Sequence, residues 1–200
     1  MIVSISGMDN AGKTTQCQNL LKNYPERFSK ILHLHDSPSF DQEKYNEEWW
    51  FRPSNKEEFT EVIYRCLKER ILIACGDEKI SLFDKSTSFY DYRIIATLIA
   101  KGMKYQDALN LQQEIKKTYI KDDHEDIKFY LESGPYRRDE PNFNDLKDIR
   151  YNLYQELNRV LLKKDDYVII QPNDKEFMTQ NIISYIDYSL KEGLCRKRRL

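Results

Sequence analysis

A three-layer α/β fold, with a parallel sheet of about five strands and helices on both faces, is the architecture this chain of 200 residues predicts. Three observations carry it. Short runs rich in β-branched and apolar residues recur along the chain, and stretches of helical periodicity separate them. A glycine-bounded turn joins the first run to the first helix.

Ile2 to Ser6 is a β-branched run closed by Gly7 and reads as a buried first strand. Lys13 to Lys22 follows as a helix with Cys17, Leu20 and Leu21 on one side. Lys30 to His35 reads as the second strand. The polar, aromatic stretch from Asp36 to Pro53, with Trp49 and Trp50, reads as loop with a short helix. Ser54 with Glu57 has the form of a capping box and opens a long helix that ends near Gly76. Lys79 to Phe83 is the third strand. Tyr90 to Lys101 and Tyr105 to Tyr119 read as two helices hinged near Gly102. Ile127 to Leu131 is the fourth strand, and the loop from Ser133 to Asn144, with Gly134, Pro135 and Pro141, forms a short lid. Asp145 to Lys163 reads as helix, Tyr167 to Ile170 as the fifth strand, and Asn173 with Glu176 caps a final amphipathic helix. With no internal repeat and no low-complexity linker, residues 1–200 are expected to form one domain.

Charge narrows the function classes. Lys and Arg number 32 against 33 Asp and Glu, a net charge of −1, which argues against a general nucleic-acid or membrane binder. No apolar run approaches the roughly 18 residues that span a bilayer. The N-terminus lacks a basic region and a cleavage-like site, so no signal peptide is expected. Cys17, Cys66, Cys75 and Cys195 are scattered with no C-x-x-C, and His33, His35 and His124 add no zinc pattern. These read as reduced thiols in a cytoplasmic protein. The basic run Arg196 to Arg199 reads as a solvated terminus, with nucleic-acid contact as the alternative.

Gly7-Met-Asp-Asn-Ala-Gly12-Lys13-Thr14 fits G-x-x-x-x-G-K-[ST], the P-loop, with a strand before it and a helix after it. Its glycines let successive backbone N–H groups turn inward around phosphate oxygens, and the helix aims its positive end at the same anion. Gly7, Asn10, Ala11, Gly12, Lys13, Thr14 and Thr15 are therefore the candidate ATP-phosphate contacts. Lys13 is placed to reach the β- and γ-phosphates, and the Thr14 hydroxyl to ligate Mg²⁺. A GTPase switch is disfavoured. The only D-x-x-G runs from Asp9 to Gly12 inside the loop itself, and Asn55-Lys-Glu-Glu58 lacks the aspartate of N-K-x-D.

The loop, extended through Thr15 and Gln16 and carrying Asp9 at its third position, resembles that of the thymidylate kinases among the small P-loop nucleoside and nucleotide kinases. Asp84-Lys85-Ser86 falls where that family carries Asp-Arg-Tyr, and Tyr64-Arg65 resembles the helix bearing its base-binding arginine. The resemblance implies ATP and Mg²⁺, and transfer of the γ-phosphate to a deoxynucleoside monophosphate such as dTMP. It implies Asp9, Arg65 and Lys85 as acceptor contacts, Asp84 beside Thr14 at the metal, and Arg137 and Arg138 of the lid neutralising the transferring phosphoryl group. It further suggests a homodimer, which no sequence feature establishes. Plainer readings stand beside these: an acidic turn residue at Asp9, a strand-capping aspartate at Asp84 and surface arginines in the lid.

Departures from the pattern open two alternatives. Lys85 replaces a bidentate arginine, and His35-Asp-Ser-Pro-Ser39 lacks the family's phosphate-holding arginine. A carboxylate there followed by Pro38 and a tryptophan pair resembles the deoxynucleoside kinases, in which Asp36 would deprotonate a 5′-hydroxyl acceptor. A turn-forming Asp36 is the plain reading. The lost arginines also motivate a catalytically silent nucleotide-binding protein. The chain carries 14 Tyr, 9 Phe and 2 Trp, so a base could stack on Trp49, Trp50, Phe89 or Tyr92.

Overall fold

The computed structural model of the chain describes residues 1–7, 11–46, 49–50, 53–122, 124–132, 153 and 167–194. Outside them lie Asp9, Asn10, Arg137, Arg138, Cys195 and the basic run 196–199. So do the expected lid over 133–144 and, except for residue 153, the expected helix over 145–163.

Five β-branched and apolar runs form strands: β1 (Ile2–Gly7), β2 (Phe28–Leu32), β3 (Ile80–Asp84), β4 (Ile127–Leu131) and β5 (Tyr167–Ile170). They pair in parallel in the order β2-β3-β1-β4-β5. The helices are α1 (Lys13–Asn23), α2 (Lys56–Cys75), α3 (Thr87–Ala100), α4 (Tyr105–Tyr119) and α5 (Lys175–Lys191). Strand side chains alternate faces, so each strand feeds two cores. Val3, Ile5, Leu82 and Phe129 meet Leu20 of α1 and Ile182 and Ile186 of α5. On the other face, Ile2 and Phe83 meet Ile63 and Leu67 of α2, Ile94 of α3 and Ile115 of α4. A parallel sheet covered on both faces is the expected outcome of such runs.

The strand order carries the consequence for function. From β1 the chain moves outward to β2, returns to β3 beside β1, and then crosses to β4 and β5 on the far side. The loops after β1 and β3 therefore diverge at the carboxyl ends of two adjacent strands, where open α/β sheets form a ligand crevice. Register places Ile5 opposite Asp84.

Several boundaries differ from the sequence expectation. Strand β2 starts at Phe28 and ends at Leu32 rather than running from Lys30 to His35, because the next residues turn into a single 3-10 turn, Leu34–Asp36. The Asp36 carboxylate accepts the His33 main-chain N–H at 2.7 Å and lifts the chain off the sheet. Asn55, not Ser54, caps α2 by accepting from the Glu58 N–H, and Asp174, not Asn173, caps α5 by accepting from the Phe177 N–H. Helix α3 begins at Thr87, three residues before Tyr90, because the Ser86 side chain caps it. Among the described residues no helix is long and apolar enough to cross a membrane. The thiols of Cys17 and Cys66 are buried, and Cys75 is exposed.

At the opposite edge of the sheet, Asp77 joins β2 to β3. Its carboxylate accepts from Ser29 Oγ at 2.9 Å and Ser81 Oγ at 2.6 Å, and pairs with Lys30 Nζ at 3.1 Å. Burial works against the charge, but the bonds from Ser81, Ser29 and Lys30 outweigh it and hold the carboxyl below its ordinary value. A depressed folded-state value stabilises above the unfolded carboxyl value of about 3.9, and that contribution disappears as pH falls through the folded value. Asp77→Asn is expected to lose about 2 kcal/mol at pH 7. In urea titrations from pH 7 to pH 3 the gap to wild type should narrow below about pH 4; a gap independent of pH would exclude this role for the charge.

Candidate functional site

Strand β1 ends in a position that only glycine fills. Gly7 has φ +148°, and a Cβ there would lie 2.6 Å from the Leu131 carbonyl oxygen of β4. Gly12, at φ +83°, supplies a left-handed N-cap with no side-chain cap. No acidic residue occupies the first turn of α1, so its leading N–H groups and the positive end of its dipole are directed at the loop. Lys13 is buried at the start of this helix and Thr14 is exposed beside it. Gln16 anchors the helix to α5, donating to the Lys175 carbonyl at 3.2 Å and accepting from Thr179 Oγ1 at 2.7 Å.

Across the crevice, Asp84 closes β3. Its Oδ2 accepts from Thr14 Oγ1 at 3.4 Å and lies 3.0 Å from His33 Nδ1. Its Oδ1 is buried with no hydrogen-bond partner. Burial raises the Asp84 pKa, but the His33 hydrogen bond and the charges of Lys85 and Lys13 reverse the sign and hold it below the ordinary carboxylate value. The group is therefore an anion at neutral pH. An ionised carboxylate only accepts, so the His33 proton sits on Nδ1. The bond to Asp84 in turn raises the His33 pKa against the opposing effect of burial.

The turn after Asp84 is held by a serine pair: Ser86 N–H donates to Ser6 Oγ at 2.9 Å, and the two hydroxyls lie 3.1 Å apart. Between them Lys85 adopts φ 76°, a left-handed conformation that costs a lysine free energy. Its side chain lines a cleft of about 540 Å³ with His35, Gln42 and Asn46. The cleft's aromatic wall is Phe40, Tyr45, Trp50 and Tyr90. Arg93 completes it, its guanidinium stacked 4.5 Å from the Trp50 ring centre. Among the described lining residues Lys85 and Arg93 are permanent cations and none is a carboxylate. The cleft adjoins the crevice through His35, whose ring stacks on His33 at 5.0 Å.

Arg70 of α2 lies behind Tyr90. It is 1% exposed, with its guanidinium 4.0 Å from the Phe83 ring centre and 5.6 Å from that of Tyr90. Nη1 donates to the Asp84 carbonyl at 3.4 Å, while Nε and Nη2 find no acceptor. Burial lowers its pKa, with partial compensation from Tyr90, Glu125 and Asp84. Burial likewise pushes the Tyr90 phenol up to about 12, so it stays protonated at neutral pH.

The structure thus brings Gly7, Ala11, Gly12, Lys13, Thr14 and Thr15 to one end of the sheet, facing Asp84 and Lys85. It does not bring Arg65 there. Arg65 is exposed on the outer side of α2 and hydrogen-bonds toward Tyr119 of α4. Helical spacing explains the displacement: Ile63, Leu67, Arg70 and Ala74 share the buried face, which Arg65 leaves. A lone arginine on that apolar stripe was the available signal for Arg70. Asp36 stands next to the crevice, but its Oδ2 closes the turn at His33 and it does not line the cleft. Of the candidate stacking residues, Trp50 lines the cleft, while Phe89 is buried and Tyr92 lines a separate pocket of about 250 Å³ with Lys116 and Lys128. His33 and Arg93 carried no recognisable signal in the sequence, because their partners are distant along the chain.

No protein-family model matches the sequence, and no curated protein matches it. Solved structures match the fold. Deoxyadenosine kinase from M. mycoides, with the products dCMP and a flexible dCDP bound, aligns at TM-score 0.67 and 14% identity, over 94% of this chain and 100% of that one. Thymidylate kinase from Candida albicans aligns at TM-score 0.63 and 16% identity, over 94% of this chain and 91% of that one. Thymidylate kinase from Ehrlichia chaffeensis aligns at TM-score 0.59 and 16% identity, over 94% and 98%. The fold is that of the thymidylate kinase-like P-loop kinases.

A buried arginine with two unsatisfied nitrogens is costly to the folded state. Arg70→Met should keep stability within about 1 kcal/mol of wild type or raise it, as read from the urea midpoint. A loss of several kcal/mol would make Arg70 a structural residue.

Proposed function

We propose that the chain is a phosphotransferase that uses ATP·Mg²⁺ and carries the γ-phosphate to a deoxynucleoside monophosphate, with a dTMP-like acceptor. The observation that carries this reading is the cleft beside the P-loop: aromatic walls, two permanent cations and, among its described lining residues, no carboxylate. A phosphate acceptor is largely dianionic at neutral pH and needs no base to become a nucleophile. A 5′-hydroxyl acceptor needs one, and Asp36 is engaged in closing its own turn. The cleft chemistry therefore favours the monophosphate over the nucleoside.

In this reading Lys13 and the amides opening α1 hold the β- and γ-phosphates. The acceptor phosphate oxygen attacks the γ-phosphorus, the bond to the β–γ bridging oxygen breaks, and ADP leaves. Mg²⁺ fits the donors present: the Thr14 hydroxyl, the ionised Asp84 and its buried, unpartnered Oδ1 are hard oxygens. Among the described residues no three His, Cys, Asp or Glu converge into a metal cage, and Mg²⁺ in such sites relies on one or two carboxylates plus substrate phosphates. Held there by Thr14 and Asp84, Mg²⁺ would supply the positive charge that neutralises charge developing in the transfer. Lys85 holds the acceptor phosphate as a point charge in place of a bidentate arginine. The strain at its φ is consistent with selection for position over stability. Trp50 and Phe40 stack on the base, and Arg65, exposed on the outer side of α2, does not take the base-reading role that the resemblance assigned to it. Asp9 contacts the sugar, and Arg137 and Arg138 neutralise the transferring group.

Incubation with ATP, Mg²⁺ and a panel of nucleosides and monophosphates, followed by ADP release, tests the reading. ADP release should depend on a monophosphate, dTMP foremost, and Lys13→Ala should lose about 10²- to 10³-fold in rate. Transfer to nucleosides alone would overturn the monophosphate assignment. No transfer, or equal rates for wild type and Lys13→Ala, would leave a nucleotide-binding protein without this activity. Lys85→Ala should raise KM for the monophosphate about tenfold, a charge-assisted hydrogen bond's worth, with KM for ATP little changed.

A further inference from the structure

We infer that His33 is a positioning residue for Asp84, fixing the carboxylate so that one oxygen stays available to a divalent cation. The inference rests on the metal-site reading of Thr14 and Asp84 given above. It is carried by the way the two carboxylate oxygens are partitioned. Oδ2 receives both neighbours, His33 Nδ1 at 3.0 Å and Thr14 Oγ1 at 3.4 Å, whereas Oδ1 is buried and receives none. A buried carboxylate oxygen without a donor is an unmet electrostatic demand, which a cation or its coordinated water would satisfy. The Thr14 hydroxyl donates its hydrogen bond to Oδ2, which leaves the hydroxyl lone pairs for the same cation.

His33 suits this task because its own position is over-determined. Its main-chain N–H is held by Asp36 Oδ2 at 2.7 Å. Its ring stacks on His35 at 5.0 Å with 10° between planes. Lying just after β2, it reaches across to the end of β3, so the imidazole is supported from the backbone and from one face before it meets Asp84. Asp84 could otherwise rotate about its side-chain torsions and offer either oxygen. A second-sphere donor of this kind typically changes metal affinity by 10- to 100-fold when removed.

The test compares His33→Phe, which keeps a ring to stack on His35 but has no donor, with His33→Asn, whose amide stands near the Nδ1 position. Mn²⁺ binding to each protein with a non-hydrolysable ATP analogue is followed by the electron paramagnetic resonance signal of free Mn²⁺. Analogue binding without metal and thermal unfolding are measured alongside. His33→Phe is expected to weaken Mn²⁺ binding about tenfold while metal-free analogue affinity holds, and His33→Asn to recover most of the loss. Wild-type Mn²⁺ affinity in His33→Phe, or an equal loss in His33→Asn, would overturn the positioning role and leave the metal site intact. Failure of wild type itself to take up Mn²⁺ with the analogue would overturn the metal reading, and this inference with it. Should His33→Phe not fold, His33→Leu makes the same comparison.

Discussion

One ionised carboxylate, Asp84, ties together three segments that are far apart in the chain, and the geometry at this edge of the sheet follows from keeping it charged. It ends β3 beside β1, in register with Ile5. Burial alone would favour the neutral acid. The hydrogen bond from His33 and the charges of Lys85 and Lys13 reverse that preference. Each compensating group comes from a different element: the turn after β2, the residue after β3 and the start of α1. Their positions are consequently correlated, because displacing any of them would leave a buried anion less well compensated.

Around this centre the molecule tolerates features that do not help it fold. Lys85 holds a left-handed backbone conformation, and Arg70 has a fully buried guanidinium with two unsatisfied nitrogens. Both lie at the cleft side of β3, whereas Asp77, at the other end of the sheet, has its hydrogen bonds and its ion pair complete. Both are costs to the folded state that their surroundings hold in place.

Where the structure departs from the local pattern, local signals compete. Ser54 and Asn55 both precede a glutamate by three residues, as Asn173 precedes Glu176 one residue ahead of the Asp174 that caps α5. In each pair the later residue became the cap, because the apolar stripe of the helix decides which turn comes first. The run through His33 and His35 has strand-like alternation, yet the Asp36 carboxylate offers the His33 N–H a nearer partner and a turn results. Arg65 and Arg70 differ by five residues, which on a helix is the difference between the outer surface and the buried face.

The sequence by itself determined the strands, the helix–strand alternation and the glycine-bounded loop that leads into Lys13 and Thr14. These are encoded in residue types a few positions apart, where torsional preference and periodicity act directly. Asp84 stands out as a carboxylate at the end of an apolar strand, and Lys85 only through the family resemblance. Tertiary structure alone decided that His33 would meet Asp84, that Arg93 would stack on Trp50, and that Arg70 rather than Arg65 would lie behind the cleft wall. Those pairings span loops whose ends are joined only when the sheet forms, and no local pattern records which distant side chain will be opposite.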